Sequence, residues 1–291
     1  MRIASWNVNS VRTRLAQLQA WLEQERPEVL CLQETKVEDP LFPLQALQEL
    51  GYASAISGQK AYNGVAILST LPLKNVQVGF AALLPGDGEA ERLDDQKRVI
   101  SARIEGVRVL NLYVPNGSSL SSDKYTHKLA WLRCLGRYLT VQAEQGEPLC
   151  MLGDFNIGPE DRDLCEPERQ SGGLMASEAE RQALRAVLGD RLHDVFRVFE
   201  PGSGHWSWWD YRSGAWERDR GWRIDHIYLD SDLLDVATGC MIHKAMRANL
   251  QPSDHAPVVV NLAWPESTGD DCDEDSFGED GFGEDGFGED G

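Results

Sequence analysis

The chain has 291 residues, 42% of them hydrophobic, enough for one large core or two small ones. No stretch approaches the roughly 20 apolar residues of a membrane span, and the start Met1-Arg2-Ile3-Ala4-Ser5-Trp6-Asn7 holds no long apolar run, so neither a membrane anchor nor a signal peptide is expected and the cytoplasm is the predicted compartment. The formal charge of −19 excludes a uniformly basic coat for nucleic acid, but twelve acidic residues and no Lys or Arg lie between Pro265 and Gly291, which leaves −7 on residues 1–264.

In chain order, short apolar β-type runs alternate with amphipathic helical ones. Predicted strands cover Arg2–Trp6, Val29–Gln33, Gly64–Ser69, Arg98–Ile104, Val107–Tyr113, Leu149–Gly153, Ile224–Leu229 and Val258–Leu262. A helix is expected behind Ser10, with Val11, Leu15, Leu18 and Leu22 at helical spacing; a second runs from about Asp123 to Glu144. Ser177 and Glu180 form a capping box for a third, which Gly189 stops. Some strands arrive as adjacent pairs and others after helices, so the expected architecture is α/β with mixed sheets, two of them with helices outside. Six cysteines without a C-x-x-C pair argue against structural zinc and against a disulfide framework. No glycine-rich nucleotide loop is present.

After Trp264 the composition changes. An acidic run from Asp270 to Asp275 precedes three copies of Phe-Gly-Glu-Asp-Gly, which predicts a catalytic domain over 1–264 and a disordered acidic tail over 265–291. A solubilising role is the plain reading of that tail; a nucleic-acid decoy or docking peptide is the sharper one, to be tested by deleting residues 265–291.

Chemistry collects at the ends of the apolar strands. Asn7 and Asn9 follow the first, Glu34 the second, Asp154-Phe155-Asn156 the Leu149 strand; Asp225 lies in the Ile224 strand, and Ser253-Asp254-His255 precedes the last. Open sheets of α/β proteins place their sites at strand ends. Any one of these residues alone is better read as structural: a turn at Asn7, an ion pair between Glu34 and Lys36, a loop cap at Asp154. Five such sites in one chain favour a shared purpose. Carboxylate and amide oxygens suit a hard cation such as Mg²⁺, which keeps waters and substrate phosphate in its shell. Water must also be oriented and deprotonated, and Asp154 or His255 could assist.

The blocks Ser5-Trp6-Asn7-Val8-Asn9, Leu32-Gln33-Glu34-Thr35-Lys36, Asn63-Gly64-Val65-Ala66-Ile67, Tyr113-Val114-Pro115-Asn116-Gly117, Gly153-Asp154-Phe155-Asn156, Gly221-Trp222-Arg223-Ile224-Asp225 and Ser253-Asp254-His255 together resemble the exonuclease III-type AP endonucleases of the endonuclease/exonuclease/phosphatase superfamily. They stand in the family's order across nearly all of Met1–Trp264. The resemblance implies a four-layer αββα sandwich of DNase I-like type. It implies Mg²⁺, with Mn²⁺ able to substitute, held by Glu34 with Asn7, Asp154, Asn156 and Asp254. It further implies catalytic roles for Asp154, Asn156, Tyr113, His255 and Asp225, one of Asp225 and Asp254 orienting His255. Asn116 would contact phosphate, and Trp208, Trp222 and Ile224 would line a pocket for a base-free sugar.

Between Phe199 and Trp222 there are seven aromatic residues, with Arg212, Arg218, Arg220 and Arg223 interspersed or adjacent. A core cluster beside a solvated basic loop is one reading; a sugar-binding wall whose arginines grip the strands is the other. Arg92, Lys97, Arg98, Lys124 and Lys128 are further candidates for backbone contact. The expected activity is cleavage 5′ to abasic sites in double-stranded DNA, with 3′→5′ exonuclease and 3′-phosphatase activity at blocked 3′ ends, by a monomer. A nonspecific nuclease, an RNase or a phospholipid or inositol phosphatase of the same fold is one rival. A catalytically silent RNA-binding regulator is another, disfavoured because Glu34, Asp154, Asn156 and His255 are all present.

Overall fold

Runs such as Val-Leu-Cys-Leu-Gln and Val-Arg-Val-Leu-Asn-Leu-Tyr are rich in β-branched and large apolar side chains, and each becomes a strand buried on both faces. The computed structural model describes residues 1–264; the acidic tail, and with it the expected disorder, lies outside the described residues. In chain order come β1 (Arg2–Asn7), α1 (Leu15–Glu25), β2 (Val29–Gln33), α2 (Leu44–Gln48), β3 (Ala53–Ser57), β4 (Val65–Ser69) and β5 (Lys74–Val78). Next are α3 (Gly88–Asp94), β6 (Val99–Ile104), β7 (Val107–Tyr113), α4 (Asp123–Glu144), β8 (Leu149–Asp154), α5 (Pro167–Gln170) and α6 (Glu178–Leu188). The chain closes with β9 (His193–Asp194), α7 (Val195–Phe199), β10 (Asp225–Leu229), α8 (Ser231–Asp235), β11 (Ala237–Ile242) and β12 (Val258–Leu262).

Two six-stranded mixed sheets result, ordered β11-β12-β1-β2-β4-β3 and β5-β6-β7-β8-β10-β9. Alternation along each strand decides what lies between them. Ile3, Val29, Cys31, Val65 and Ile67 of the first sheet meet Ile100, Val109, Cys150, Leu152 and Ile227 of the second in one buried seam. The opposite parity faces helices: Ala4, Trp6, Leu30 and Leu32 pack under Leu18, Trp21 and Leu22 of α1. Leu110, Leu112, Leu149 and Met151 pack under Trp131, Leu132 and Leu135 of α4 and Leu184 of α6. The molecule is the four-layer αββα sandwich that the resemblance implies.

The seam is not wholly apolar. Gln33 Nε2 donates to Asn111 Oδ1 across it at 2.8 Å, and Asn111 Nδ2 donates to the carbonyls of Leu32 and Ala66, both at 2.9 Å. Buried amides so paired tie the sheets in one register, because any slip strands them without partners.

Two helical expectations hold closely. α4 runs from Asp123 to Glu144, and α6 carries the Ser177–Glu180 box and ends at Gly189. The first helix starts later than expected, at Leu15: Ser10 has φ +90° and makes a turn instead, so Val11 is buried by that turn and not by a helical stripe.

Candidate active site

Sheet register assembles the site. β7 and β8 are parallel with Tyr113 beside Asp154, and β8 and β10 are antiparallel with Asp154 beside Asp225. Tyr113, Asp154 and Asp225 therefore stand in a row, and their parity is that of Val109, Leu152 and Ile227, which face the seam. Asn7 shares the parity of Ile3 on β1 and lies in register beside Gln33. The site is thus the open end of the seam, where inward positions turn from apolar to polar. Close approach of β7 and β8 here needs Gly153: at φ +144°, a Cβ there would lie 1.9 Å from the Leu112 carbonyl oxygen.

The loops add the remaining groups in left-handed backbone conformations. Asn9, Glu34, Lys36 and Asn156 all have φ between +44° and +53°. Such non-glycine residues carry a conformational cost that the surrounding structure must offset.

Asp154 is the hub. Asn7 Nδ2 donates to Asp154 Oδ2 and to Glu34 Oε1, each at 2.9 Å, which links the two sheets. His255 Nε2 faces Asp154 Oδ2 at 3.8 Å, while its Nδ1 bonds Asp225 Oδ2 at 2.8 Å. Asp225 is held by its backbone, since Ser207 Oγ accepts from the N–H groups of Ile224 and Asp225 at 3.0 Å each. His255 is held similarly: Ser253 Oγ donates to the Asn7 carbonyl and accepts from the His255 N–H.

Packing these charges together moves their titrations. Burial, then the negative Asp225 and Glu34, raises Asp154 to about 7 against the pull of His255. Burial disfavours charge on His255, but Asp225 and Asp154 outweigh it and raise the imidazole to about 10. Burial, then Glu34, pushes the Tyr113 phenol well above its ordinary value, so Tyr113 is a neutral donor.

Among the described residues, Glu34, Asp154 and His255 are the one set of His, Cys, Asp or Glu side chains whose ligand atoms lie within 4.8 Å of one another. Two carboxylates at that spacing suit a divalent cation, and Asp225 Oδ1 is a further buried oxygen with no hydrogen-bond partner. The donor set fits a hard metal. Asn7 and Asp254 stand differently from the expected ligand set: Asn7 Oδ1 accepts from the Asn9 N–H, and the two Asp254 oxygens accept from Asn9 Nδ2 and Trp208 Nε1. Asn7 Nδ2 braces both carboxylates directly, while Asp254 reaches them only through Asn9.

Asn116 Nδ2 donates to Asn156 Oδ1 at 2.9 Å, and Asn156 Nδ2 donates to the Val114 carbonyl at 3.0 Å, so these two amides stand together beside the carboxylates. Arg98 lies over the Tyr113 ring, 4.4 Å from its centroid, and lines a groove with Tyr62, Asn116, Lys124 and His127. Trp208 and Trp222 meet edge to face on the other side, over Ile224, Leu164 and Met175.

Two expectations need correction. Arg223 does not reach the pocket or DNA: its guanidinium is buried, paired with Asp163 at 2.7 Å and Asp194 at 2.6 Å and bonded to His226 at 2.9 Å. Flanked by Trp222 and Asp225, it anchors the segment that carries both. Lys128 is fully buried as well, so it cannot grip a strand; its Nζ bonds Glu180 at 2.5 Å and the Asn156 carbonyl at 2.7 Å. Sequence reading missed Gln33 and Asn111; the signal was a polar residue at an inward position of an otherwise apolar strand.

Comparison with known proteins agrees with this geometry. Residues 4–255 match the model of the Endonuclease/Exonuclease/phosphatase family. The chain is 34% identical over 270 residues to exodeoxyribonuclease III of Haemophilus influenzae, covering 89% of this chain and 98% of that one. It is 30% identical over 267 residues to an exodeoxyribonuclease of Bacillus subtilis, covering 90% and 100%. Among solved structures, a Neisseria 3′ phosphatase, NExo, bound to a product DNA hairpin superposes with a TM-score of 0.85 at 38% identity, covering 91% of this chain and all of that one. An AP endonuclease from Archaeoglobus fulgidus superposes with a TM-score of 0.84 at 36% identity, with the same coverage.

Proposed function

The chain belongs to the endonuclease/exonuclease/phosphatase family, and we propose that it is a magnesium-dependent repair phosphodiesterase that cleaves double-stranded DNA 5′ to abasic sites and trims blocked 3′ ends. The observation that carries this reading is the convergence on Asp154 of Asn7, Glu34 and His255, which end or precede strands of the first sheet, with Asp225 beside it on the second.

Glu34 and Asp154 would hold the cation, with Asn7 bracing both carboxylates. When bound it supplies a Lewis acid that withdraws charge from a phosphate oxygen. The protein's own groups do the rest. Asn156, which keeps one Nδ2–H beyond its bond to Val114 and is held by Asn116, and the neutral Tyr113 phenol donate to non-bridging phosphate oxygens. Charged His255, oriented by Asp225, presents Nε2–H to the phosphate as negative charge grows there. Asp154 takes the proton of the attacking water, whose oxygen bonds phosphorus as the bond to the 3′-oxygen breaks and the freed 3′-oxygen takes a proton from solvent. The products are a 3′-hydroxyl and a 5′-phosphate on the abasic sugar.

Trp208 and Trp222 form a slot for a sugar that lacks its base. Residues 1–264 are the catalytic domain in this reading, and a cytoplasmic monomer its working form; no helix among the described residues is long and apolar enough to cross a membrane. A 5′-labelled duplex with one abasic site, incubated with Mg²⁺ or with EDTA beside intact duplex, single-stranded RNA and a 3′-phosphate primer, tests the proposal. Magnesium-dependent cutting at the lesion and release of the 3′-phosphate are expected. An intact abasic duplex in magnesium would defeat it.

A further inference from the structure

Trp208 has a polar edge that the sugar slot does not use. Its backbone pairs with Trp222, N–H to carbonyl in both directions at 2.9 Å, which sets the ring edge to face with Trp222 at the slot. The indole Nε1–H points the other way and donates to Asp254 Oδ2 at 3.0 Å. Asp254 Oδ1 accepts from Asn9 Nδ2 at 2.8 Å, and Asn9 Oδ1 accepts from Lys36 Nζ at 2.5 Å. Lys36 Nζ then pairs with Glu34 Oε2 at 2.8 Å. A second branch leaves the same asparagine: Asn9 N–H donates to Asn7 Oδ1 at 3.0 Å, and Asn7 Nδ2 donates to Glu34 Oε1. Both oxygens of Glu34 are therefore placed by one chain of contacts that begins at an aromatic wall.

The chain has little slack. Asn9, Glu34 and Lys36 all hold left-handed backbone, which for a non-glycine residue must be held by the structure around it. Asp254 spends both oxygens on Asn9 and Trp208, so losing either donor frees the carboxylate to turn and unseats Asn9. From this geometry we infer that Trp208 is a positioning residue for the cation site: its indole N–H, through Asp254 and Asn9, holds Glu34 ready for a divalent ion before any DNA arrives. The inference rests on the cation site proposed above. By linkage it has a reciprocal: whatever presses on the Trp208 ring in the slot also changes cation affinity, and cation binding changes affinity for the occupant by the same factor.

Phenylalanine at position 208 keeps an aromatic wall and lacks the N–H, so Trp208→Phe separates the two jobs. The readout is Mn²⁺ binding to the full chain without DNA, by calorimetry and by the electron-spin signal of free Mn²⁺. Trp208→Phe should weaken Mn²⁺ binding about tenfold, the lower end of what one hydrogen bond to a charged group contributes. Asn9→Ala leaves the tryptophan in place and guards against misfolding of the first variant; it should weaken binding at least as much. The double variant should be no weaker than Asn9→Ala alone, because one chain has been cut twice. Circular dichroism and thermal melting of each variant separate a lost brace from a lost fold. Glu34→Gln serves as the control. If Glu34→Gln loses Mn²⁺ binding while both other variants stay within twofold of the unaltered protein, the positioning role is overturned and the cation site stands. Should Glu34→Gln bind Mn²⁺ normally, the cation site itself is overturned, and the positioning role with it.

Discussion

Replacing Lys128 with methionine gives the sharpest test of how the buried support beneath Asn156 is held. Lys128 on α4 and Glu180 on α6 have no solvent exposure, and their ion pair measures 2.5 Å. At that distance the gross attraction is roughly 7 kcal/mol for an effective dielectric of 20, most of it offset by the desolvation of both charges. Glu180 also accepts from Ser177 Oγ and from the N–H groups of Met175 and Ser177, so the carboxylate cannot leave when its cation does. Lys128→Met therefore strands a buried negative charge, and about 3–5 kcal/mol of stability should go with it, against a typical total of about 5–15. Urea denaturation at pH 7, with the slope unchanged, measures this. Lys128→Met/Glu180→Leu removes both charges and should recover most of the loss, because an apolar pair of similar volume is commonly neutral. A single variant within about 1 kcal/mol of the parent, or a double variant as unstable as the single one, would refute the argument.

Other outcomes follow from the same geometry. His226 is buried, and burial, then Arg223, lowers its pKa to about 4, so in acid the unfolded chain takes up a proton that the folded chain refuses. The full contribution is present above about pH 6.5; stability then falls by about 1.4 kcal/mol per unit until about pH 4, and His226→Gln should flatten that part of a urea-midpoint series. His255→Ala should lower single-turnover cleavage by roughly a hundredfold or more with circular dichroism unchanged, since it removes a donor used chiefly in the transition state. Gly153→Ala should lower the melting temperature sharply, because the new Cβ would meet the Leu112 carbonyl oxygen at 1.9 Å. A soluble Gly153→Ala protein with the parent's melting temperature would contradict the close approach of β7 and β8.

The eight strands that sequence reading found are all interior to their sheets, and the four it missed are the sheet edges. β3, β5, β9 and β11 stand at the ends of the two strand orders. An edge strand need not be apolar: β5 is Lys-Asn-Val-Gln-Val with four of its five residues exposed, and β11 bends at a bulge between Ala237 and Gly239. The candidate site was legible because carboxylates, amides and a histidine interrupt apolar runs. Arg223 and Lys128 were misread for the opposite reason: a basic residue near a site looks like a phosphate contact, and only tertiary structure shows the acids that surround it. The Ser10 turn was hidden because Val11 and Leu15 keep helical spacing while the backbone between them does not.

Because Glu34 comes from one layer and Asp154 from the other, the thickness of the sandwich is itself a variable of the chemistry. Cys31 and Cys150, small residues from opposite sheets, both lie deep in the apolar filling between the layers. A bulkier side chain at either place would prise the carboxylates apart as a wedge opens a pair of jaws. Cleavage rate could thereby fall through a substitution that touches neither nucleic acid nor metal.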